Sequence, residues 1–170
     1  MVKNKIVGII PARFKSSRFP GKPLADIHGK PMIWHVYQRA TKAKLLDEIY
    51  VATDDQRIKE VCDSFNMQVI MTSDTHTTGS DRLSECASRI NADFYVNIQG
   101  DEPMIDPDSI DSVTQEILIE ENENIVASGA FMPINDPSDI IDSNVVKVII
   151  SNSGVAISYS RSPIPYPKDG

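Results

Sequence analysis

Short apolar segments alternate with longer amphipathic segments along the first 120 residues, and this alternation restricts the fold more than any other feature of the sequence. The apolar segments predict strands at residues 5–10, 48–53, 67–71 and 94–99. Helical spacing predicts helices at residues 31–43, 55–65, 78–90 and 106–120. Strands joined by helices of this length pair in parallel through right-handed crossovers. We therefore predict an α/β fold with a mainly parallel sheet and helices on both faces.

Several helix starts carry local signals. Pro31 suits the first position of its helix because proline lacks an N–H group that this position leaves unbonded. Thr78 and Asp81 have the spacing of a capping box, in which each side chain bonds the other's backbone. Asp106-Pro107 combines a capping residue with a proline at the next position. These signals fix the starts of three of the four predicted helices.

The last third of the chain is predicted to consist mainly of strands. They are expected at residues 125–132, 145–151 and 154–160, with the last two joined as a hairpin through Asn152-Ser153-Gly154. A chain of 170 residues, of which 41% are hydrophobic, is the size of one ordinary domain. We predict a single domain over residues 1–170.

The charge distribution is uneven. The net charge of −7 argues against a general nucleic-acid binder or a protein of anionic membrane surfaces, so we expect neither partner. Residues 1–44 nevertheless carry a formal charge of +9, and the other 126 residues carry −16. A small polyanionic ligand near the N-terminal loop would explain this division. A solvated basic face would explain it equally well on charge alone.

Cysteine usage and the N-terminus bear on the compartment. Cys62 and Cys86 are the only two cysteines and do not form a CxxC motif, which favours a reducing compartment. The apolar run Ile6–Ile10 is too short for a signal-peptide core or a membrane span. We predict a cytosolic protein.

Polar residues follow the predicted strands at the places where an α/β sheet binds ligands. The loops after Ile10, Thr53, Met71 and Gln99 should share one edge, because ligands collect beyond the carboxyl ends of parallel strands. The first loop contains four basic side chains, Arg13, Lys15, Arg18 and Lys22. It matches neither the P-loop nor the GxGxxG pattern. It can be a phosphate-binding loop, or a Pro20-Gly21 turn with solvated basic side chains.

Three further groups are candidate sites. Gly100-Asp101-Glu102-Pro103 ends a strand and can be either a magnesium-binding carboxylate or a simple turn. Thr77–Arg82 begins a helix, whose free amides can bind a ligand, although Arg82 can instead pair with Asp81 or Glu85. Arg161 has the planar fork that binds carboxylates, but an isolated arginine is more often a surface residue.

Six segments, taken together and in order, resemble one enzyme family. They are IIPARFKSSRFPGKPLADIHGKPMI (9–33), VATDD (51–55), MTSDTHTTGSDRLSE (71–85), NIQGDEPMI (97–105), NVVKVI (144–149) and SYSRSPIP (158–165). This pattern resembles the CMP-KDO synthetases, or 3-deoxy-manno-octulosonate cytidylyltransferases. The resemblance implies a Rossmann-like nucleotidyltransferase fold of the glycosyltransferase-A type.

The resemblance also implies a reaction, partners and roles. The anomeric hydroxyl of an acidic 3-deoxy-2-ulosonic sugar would attack the α-phosphorus of CTP with the help of Mg²⁺, giving a CMP-sugar and pyrophosphate. Arg13, Lys22 and Asp101 would be catalytic, with Asp101 as the Mg²⁺ ligand and Arg18 a weaker candidate. Nucleotide contacts are implied for Pro11, Ala12, Arg13, Lys22, Ser80, Arg82 and Gln99. Sugar contacts are implied for Gln99 and Arg161.

The sequence departs from the family pattern at its end. Family members continue further and include a second metal-binding aspartate and much of a homodimer surface, so we expect residues 1–170 to be a truncated domain. Related cytidylyltransferases act on sialic acid or on an 8-amino analogue of the same sugar, and the sequence does not separate these substrates. A truncated protein that binds CTP without catalysis is the alternative of another class.

Overall fold

The first strand of the sequence becomes an inner strand of a parallel sheet. The computed structural model describes residues 4–15, 19–120 and 124–165. Its main sheet has the strand order β5-β4-β1-β6. The four strands are β1 (Ile6–Ala12), β4 (Glu48–Thr53), β5 (Val69–Met71) and β6 (Phe94–Asn97). Every pairing among them is parallel. Six of the seven residues of β1 are buried, as expected for a strand covered on both faces.

Helices cover both faces of this sheet. They are α1 (Met32–Ala40), α2 (Gln56–Ser64), α3 (Gly79–Arg89) and α4 (Pro107–Ile119). One face of β1 presents Ile10 to a cluster that includes residues of α1, α2 and α4. The other face presents Val7 and Ile9 to a smaller cluster with Cys86 of α3. The predicted α/β fold with helices on both faces is confirmed.

Of the three helix starts predicted from local signals, two occur as predicted and one is shifted by one residue. Thr78 and Asp81 form the reciprocal capping box of α3, with Asp81 N–H donating to Thr78 Oγ1 at 3.1 Å. Asp106 caps α4 and Pro107 is its first residue. Pro31 does not begin α1 as predicted. It has an extended backbone and lies just before Met32, because it pairs with Asp26 in a short hairpin.

That hairpin consists of β2 (Asp26–Ile27) and β3 (Lys30–Pro31), and a 3-10 helix at Lys22–Leu24 precedes it. Its strands have two residues each, which is too short for an alternating pattern to indicate. The segment between β1 and α1 is therefore more regular than the long loop that the sequence predicted.

The described chain divides into two compact units, residues 1–128 and 129–170. The single domain over residues 1–170 remains a prediction. In the second unit, β7 (Lys147–Ile150) and β8 (Ala156–Ser160) form the predicted antiparallel hairpin. A short helix, α5 (Pro137–Ile141), was not predicted. The sequence signal for the start of this helix is the capping residue Asp136, directly before Pro137.

The predicted strand at residues 125–132 is wrong. These residues have no regular secondary structure, and the side chains of Val126, Phe131 and Met132 are exposed. Apolar character predicts that a segment can be buried in a sheet, but a strand also needs a hydrogen-bonded neighbour. In the described ranges, none of the three sheets includes this segment.

Arg18 and residues 166–170 lie outside the described residues, so nothing is said of their structure. Among the helices in the described parts of the chain, none is both long and apolar enough to span a bilayer.

Candidate functional site

A cleft of about 430 Å³ lies at the carboxyl ends of β1 and β6, beside the N-terminus of α3. It is lined by Pro11, Ala12, Arg13, Lys15, Lys22, Pro23, Gly79, Arg82, Gln99, Gly100 and Asp101. The structure therefore brings together six of the seven predicted nucleotide-binding residues and all three predicted catalytic residues. Ser80, the seventh, is exposed and is not among the lining residues. Lys15, Pro23, Gly79 and Gly100 also line the cleft, and no contact was predicted for them individually, although Lys15, Gly79 and Gly100 belong to the candidate segments.

The loop after β1 carries three of the four cationic residues that line the cleft, Arg13, Lys15 and Lys22, and α3 carries the fourth, Arg82. Arg13 Nη1 donates to the carbonyl oxygen of Thr77 at 2.9 Å, which links this loop to the segment before α3. Gly21 N–H donates to Phe14 O at 2.8 Å and closes the loop upon itself. Gly21 has a φ of 73°, a left-handed conformation that side-chain-bearing residues rarely adopt. This closure returns the chain to the cleft, which Lys22 lines together with Arg13.

Lys22 and Asp101 form an ion pair across the cleft. The distance from Lys22 Nζ to Asp101 Oδ2 is 2.6 Å, and both side chains are partly exposed, at 37% and 52%. Such an exposed pair contributes little to folding stability. It does hold a cation and a carboxylate at the mouth of the cleft, where either can change partner when a charged ligand enters.

The loop that carries Asp101 passes very close to the end of β1. A Cβ atom added at Gly100 would lie 2.5 Å from the carbonyl oxygen of Pro11, nearer than real Cβ contacts come. Only glycine therefore permits this approach. The contact brings the backbone of Pro11 and the Asp101 loop together as two adjoining walls of the cleft.

We expect Gly100→Ala to lower the free energy of unfolding by about 1–3 kcal/mol, the usual cost of forcing an extra carbon into a packed position. Gly129→Ala is the matched control, because a Cβ at Gly129 would meet nothing within 4 Å. Urea unfolding followed by circular dichroism measures both. Equal stability of the two variants would contradict the close approach at Gly100.

Arg82 is fully buried at the inner end of the cleft, with 0% of the residue exposed. Its Nη1 donates to Thr72 Oγ1, and its Nη2 lies 3.4 Å from Asp54 Oδ1. That second contact is an ion pair without hydrogen-bond geometry. Within the described residues, Arg82 Nε and Nη2 have no hydrogen-bond partner. The alternative in which Arg82 pairs with Asp81 or Glu85 is not what the structure shows.

Sequence reasoning missed the two residues that hold Arg82. Asp54 follows β4 and Thr72 follows β5, both at the edge of the sheet where ligand-binding loops were predicted. The available signal was their position after buried strands. An unpaired donor on a buried guanidinium is costly, so a group that accepts hydrogen bonds from Arg82 would be stabilised there.

Glu85 of α3 binds the segment that precedes this helix. It accepts hydrogen bonds from Ser73 N–H at 2.8 Å, His76 Nε2 at 2.6 Å and Arg89 Nη1 at 3.0 Å. Chiefly through the Ser73 N–H bond and then the His76 bond, the pKa of Glu85 is lowered to about 2. His76 thus has a partner in Glu85 of α3.

This depressed pKa predicts an acid-sensitive contribution to stability. The Glu85 carboxylate stabilises the fold above its ordinary pKa of 4.5, and the contribution disappears as pH falls towards about 2, where the folded protein also binds the proton. We expect the free energy of unfolding to decrease less between pH 4.5 and about pH 2 in Glu85→Gln than in the wild type. Urea midpoints across this range test it, with the exposed Glu116→Gln as control. Parallel curves for wild type and Glu85→Gln would contradict the prediction.

Arg161 belongs to the second unit. Its Nη1 donates to Ser143 O at 2.8 Å, and its own carbonyl accepts a bond from Lys147 Nζ at 3.1 Å. Lys147 is only 6% exposed and also donates to Asp142 O and Val145 O. Buried Lys147 therefore holds the backbone of Arg161 in place, while the sugar contact of Arg161 stays a prediction.

Asp101 is the only predicted metal ligand. In the described ranges, no group of three or more His, Cys, Asp or Glu side chains is arranged to hold a metal ion. Mg²⁺ usually takes only one or two protein carboxylates and completes its shell with water and phosphate oxygens. The half-exposed carboxylate of Asp101 at the cleft fits that mode of binding, together with a phosphate ligand.

Comparison with known proteins identifies the family of the chain. The family model for cytidylyltransferases matches residues 7–170. The chain belongs to the cytidylyltransferase family. It is 48% identical over 166 residues to the 3-deoxy-manno-octulosonate cytidylyltransferase of Geobacter metallireducens, covering 97% of this chain and 64% of that protein. It is 49% identical over 164 residues to the protein of the same name from Geobacter sulfurreducens, covering 96% and 65%.

A solved structure of CMP:2-keto-3-deoxy-manno-octonic acid synthetase complexed with CTP has a similar fold. Its TM-score is 0.84 at 41% identity, over 97% of this chain and 67% of that one. The resemblance inferred from the six sequence segments is thereby confirmed. The chain spans just under two thirds of the length of the two Geobacter relatives.

Proposed function

We propose that this chain forms the CTP-binding part of a 3-deoxy-manno-octulosonate cytidylyltransferase. The observation that carries the proposal is the cleft itself, in which Arg13, Lys22 and Asp101 converge beside the buried Arg82. A triphosphate needs several cations, and a hard carboxylate next to them suits a phosphate-bound Mg²⁺. The named relatives and the CTP complex of the similar structure support CTP as the nucleotide.

In the proposed reaction, the anomeric hydroxyl oxygen of the sugar forms a bond to the α-phosphorus of CTP. The bond from that phosphorus to the bridging oxygen of the β-phosphate breaks, pyrophosphate leaves with the electron pair, and the hydroxyl proton is released. Negative charge builds on the non-bridging and leaving oxygens during this displacement. Mg²⁺, when bound, neutralises part of that charge.

Within this proposal, the residues of the chain have separate tasks. Arg13 and Lys22 bind phosphate oxygens and stabilise the charge that develops on them. Asp101 holds Mg²⁺. Nucleotide contacts are assigned to Pro11, Ala12, Arg82 and Gln99, which line the cleft, and to Ser80 beside it. Gln99 and Arg161 contact the sugar, with the guanidinium of Arg161 binding its carboxylate.

The setting of the reaction is also part of the proposal. The substrate is the 3-deoxy-manno-octulosonate named for the relatives, Mg²⁺ is the cofactor, and the protein acts in the cytosol. We further propose that the complete enzyme is a homodimer. The resemblance supports the substrate, Mg²⁺ and the homodimer, the carboxylate of Asp101 in the cleft supports Mg²⁺, and the two free cysteines support the cytosol.

Calorimetric titration of residues 1–170 with CTP and Mg²⁺ tests the proposal, with parallel measurement of pyrophosphate release. We expect binding of CTP with little or no transfer, because ground-state binding requires less of the site than transition-state stabilisation. A folded chain that does not bind CTP would overturn the assignment. The substrate is tested in a protein of the relatives' full length. Pyrophosphate release with sialic acid or the 8-amino sugar, but not with 3-deoxy-manno-octulosonate, would contradict the proposed substrate.

A further inference from the structure

Phe14 belongs to the loop after β1, called here the phosphate-binding loop (residues 13–22), and its side chain contacts both Gly21 of this loop and helix α2. Arg57 of α2 stacks on it, with the guanidinium carbon 3.3 Å from the centre of the ring. On the loop side, a Cβ at Gly21 would be only 3.0 Å from Phe14 Cζ, so the ring packs against the backbone of Gly21. Phe14 is therefore in contact with both the loop and the helix.

Asp55 fixes the orientation of Arg57. Asp55 Oδ1 accepts a hydrogen bond from Arg57 Nε at 2.9 Å, and Oδ2 accepts one from Nη2 at 2.6 Å. This two-point pair lowers the pKa of Asp55, mainly through the side-chain bond from Arg57. Asp55 is itself anchored, because it caps α2 and its N–H donates to Thr53 Oγ1 at the buried end of β4. The guanidinium plane is thus fixed relative to the sheet.

The stacked ring adjoins two of the four basic residues of the loop, Arg13 and Lys22. Phe14 follows Arg13 directly, and its carbonyl accepts the 2.8 Å bond from Gly21 N–H, directly before Lys22. Movement of the ring would therefore shift the positions of Arg13 and Lys22 together. Arg57 is not among the residues that line the cleft. Its contact with the loop after β1 is the stacking on Phe14, which the proposal below takes as the connection to the cleft.

We propose that Arg57 is a positioning residue for the phosphate-binding loop, and that the series Asp55, Arg57 and Phe14 sets the spacing of Arg13 and Lys22 for a triphosphate. This inference rests on the proposed CTP-binding function. Without such a role, Arg57 would be an exposed ion-pair residue whose removal changes nothing in the cleft. The positioning role predicts an effect on phosphate binding in particular.

The test measures the affinity of residues 1–170 for CTP and for CMP with Mg²⁺ by calorimetry, using Arg57→Ala and Arg57→Gln. We expect about two- to fivefold weaker CTP binding, the range of an exposed cation–π contact, and unchanged CMP binding. Lys59→Ala is the matched control, because Lys59 pairs with Asp63 on the same helix at 2.5 Å. If Arg57 only supported the fold, its replacement would weaken the binding of both nucleotides, or it would lower the midpoint of unfolding without changing either affinity.

A double-mutant cycle with Phe14→Leu tests whether Arg57 acts on the loop through Phe14. If Arg57 acts through Phe14, Arg57→Ala should add no further loss of CTP affinity in the Phe14→Leu background. Additive losses, or CTP affinity unchanged in both Arg57 variants while wild type binds CTP, would overturn the positioning role. Failure of wild type to bind CTP would instead overturn the proposed function, and this inference with it.

Discussion

Asp101→Asn should lower the turnover of the proposed cytidylyl transfer by about 10²–10³-fold, the usual effect of removing one electrostatic contact to the transition state. The substitution keeps the size of the side chain and removes the charge that would hold Mg²⁺. The Asp101 side chain is 52% exposed, so the loss of its 2.6 Å pair with Lys22 should leave the fold intact.

This effect is measured by steady-state kinetics at varied Mg²⁺. The protein used contains residues 1–170 and has the full length of the relatives. Glu102→Gln, on the next residue of the same loop, is the control for removal of a carboxylate near the cleft. Turnover of Asp101→Asn within a few-fold of wild type would contradict the metal-binding role. In residues 1–170 alone, the same variant should lose any Mg²⁺-dependent gain in CTP affinity.

The parts of the fold that sequence reasoning predicted are those with local causes. Apolar periodicity located the four strands of the main sheet and helices α1 to α4, because the burial of a strand or of one helix face determines the spacing of apolar residues along the sequence. The shared ligand-binding edge followed from the parallel topology, and the cleft lies there. The capping box of Thr78 and Asp81 depends on two residues three positions apart, and it occurs as predicted.

The parts that failed depend on partners distant in sequence. Residues 125–132 have the apolar character of a strand, but no neighbouring strand pairs with them among the described residues. For Arg82, the sequence left open a ligand contact and a pair with Asp81 or Glu85, and the structure contradicts only the pair. The complete burial of Arg82 depends on Asp54 and Thr72, which reach it from the ends of two other strands.

In the candidate site, too, the contacts that the sequence did not predict are those between residues distant in sequence. Parallel topology predicted that the loops of Lys22 and Asp101 share one edge of the sheet. Only the family resemblance assigned these two residues to one site, because no spacing rule joins residues 79 positions apart. Their ion pair exists because Gly100 allows the second loop to approach Pro11 so closely. The contact of Arg57 with Phe14 had no sequence signal at all, since each residue alone is ordinary for its element.

Lys22→Met should weaken the binding of CTP to residues 1–170 by about 10- to 150-fold, the equivalent of one lost charge-assisted hydrogen bond. The loss should be at the upper part of this range without Mg²⁺. The reason is that Asp101, no longer paired with Lys22 at 2.6 Å, then presents an uncompensated negative charge to the triphosphate. Calorimetry with CTP, CDP and CMP should show an effect that decreases with the number of phosphates.

Lys44→Met is the matched control for this effect. It removes the same charge from the basic N-terminal segment, but Lys44 is 81% exposed and pairs with Asp108 outside the cleft. Asp101→Asn should act in the opposite direction without Mg²⁺ and strengthen CTP binding, because it removes the repulsive charge and leaves Lys22 free for phosphate. Equal losses in Lys22→Met and Lys44→Met would mean that the basic segment attracts CTP only through its net charge. A loss specific to Lys22, with the opposite sign for Asp101→Asn, follows only if these two side chains face the same phosphates.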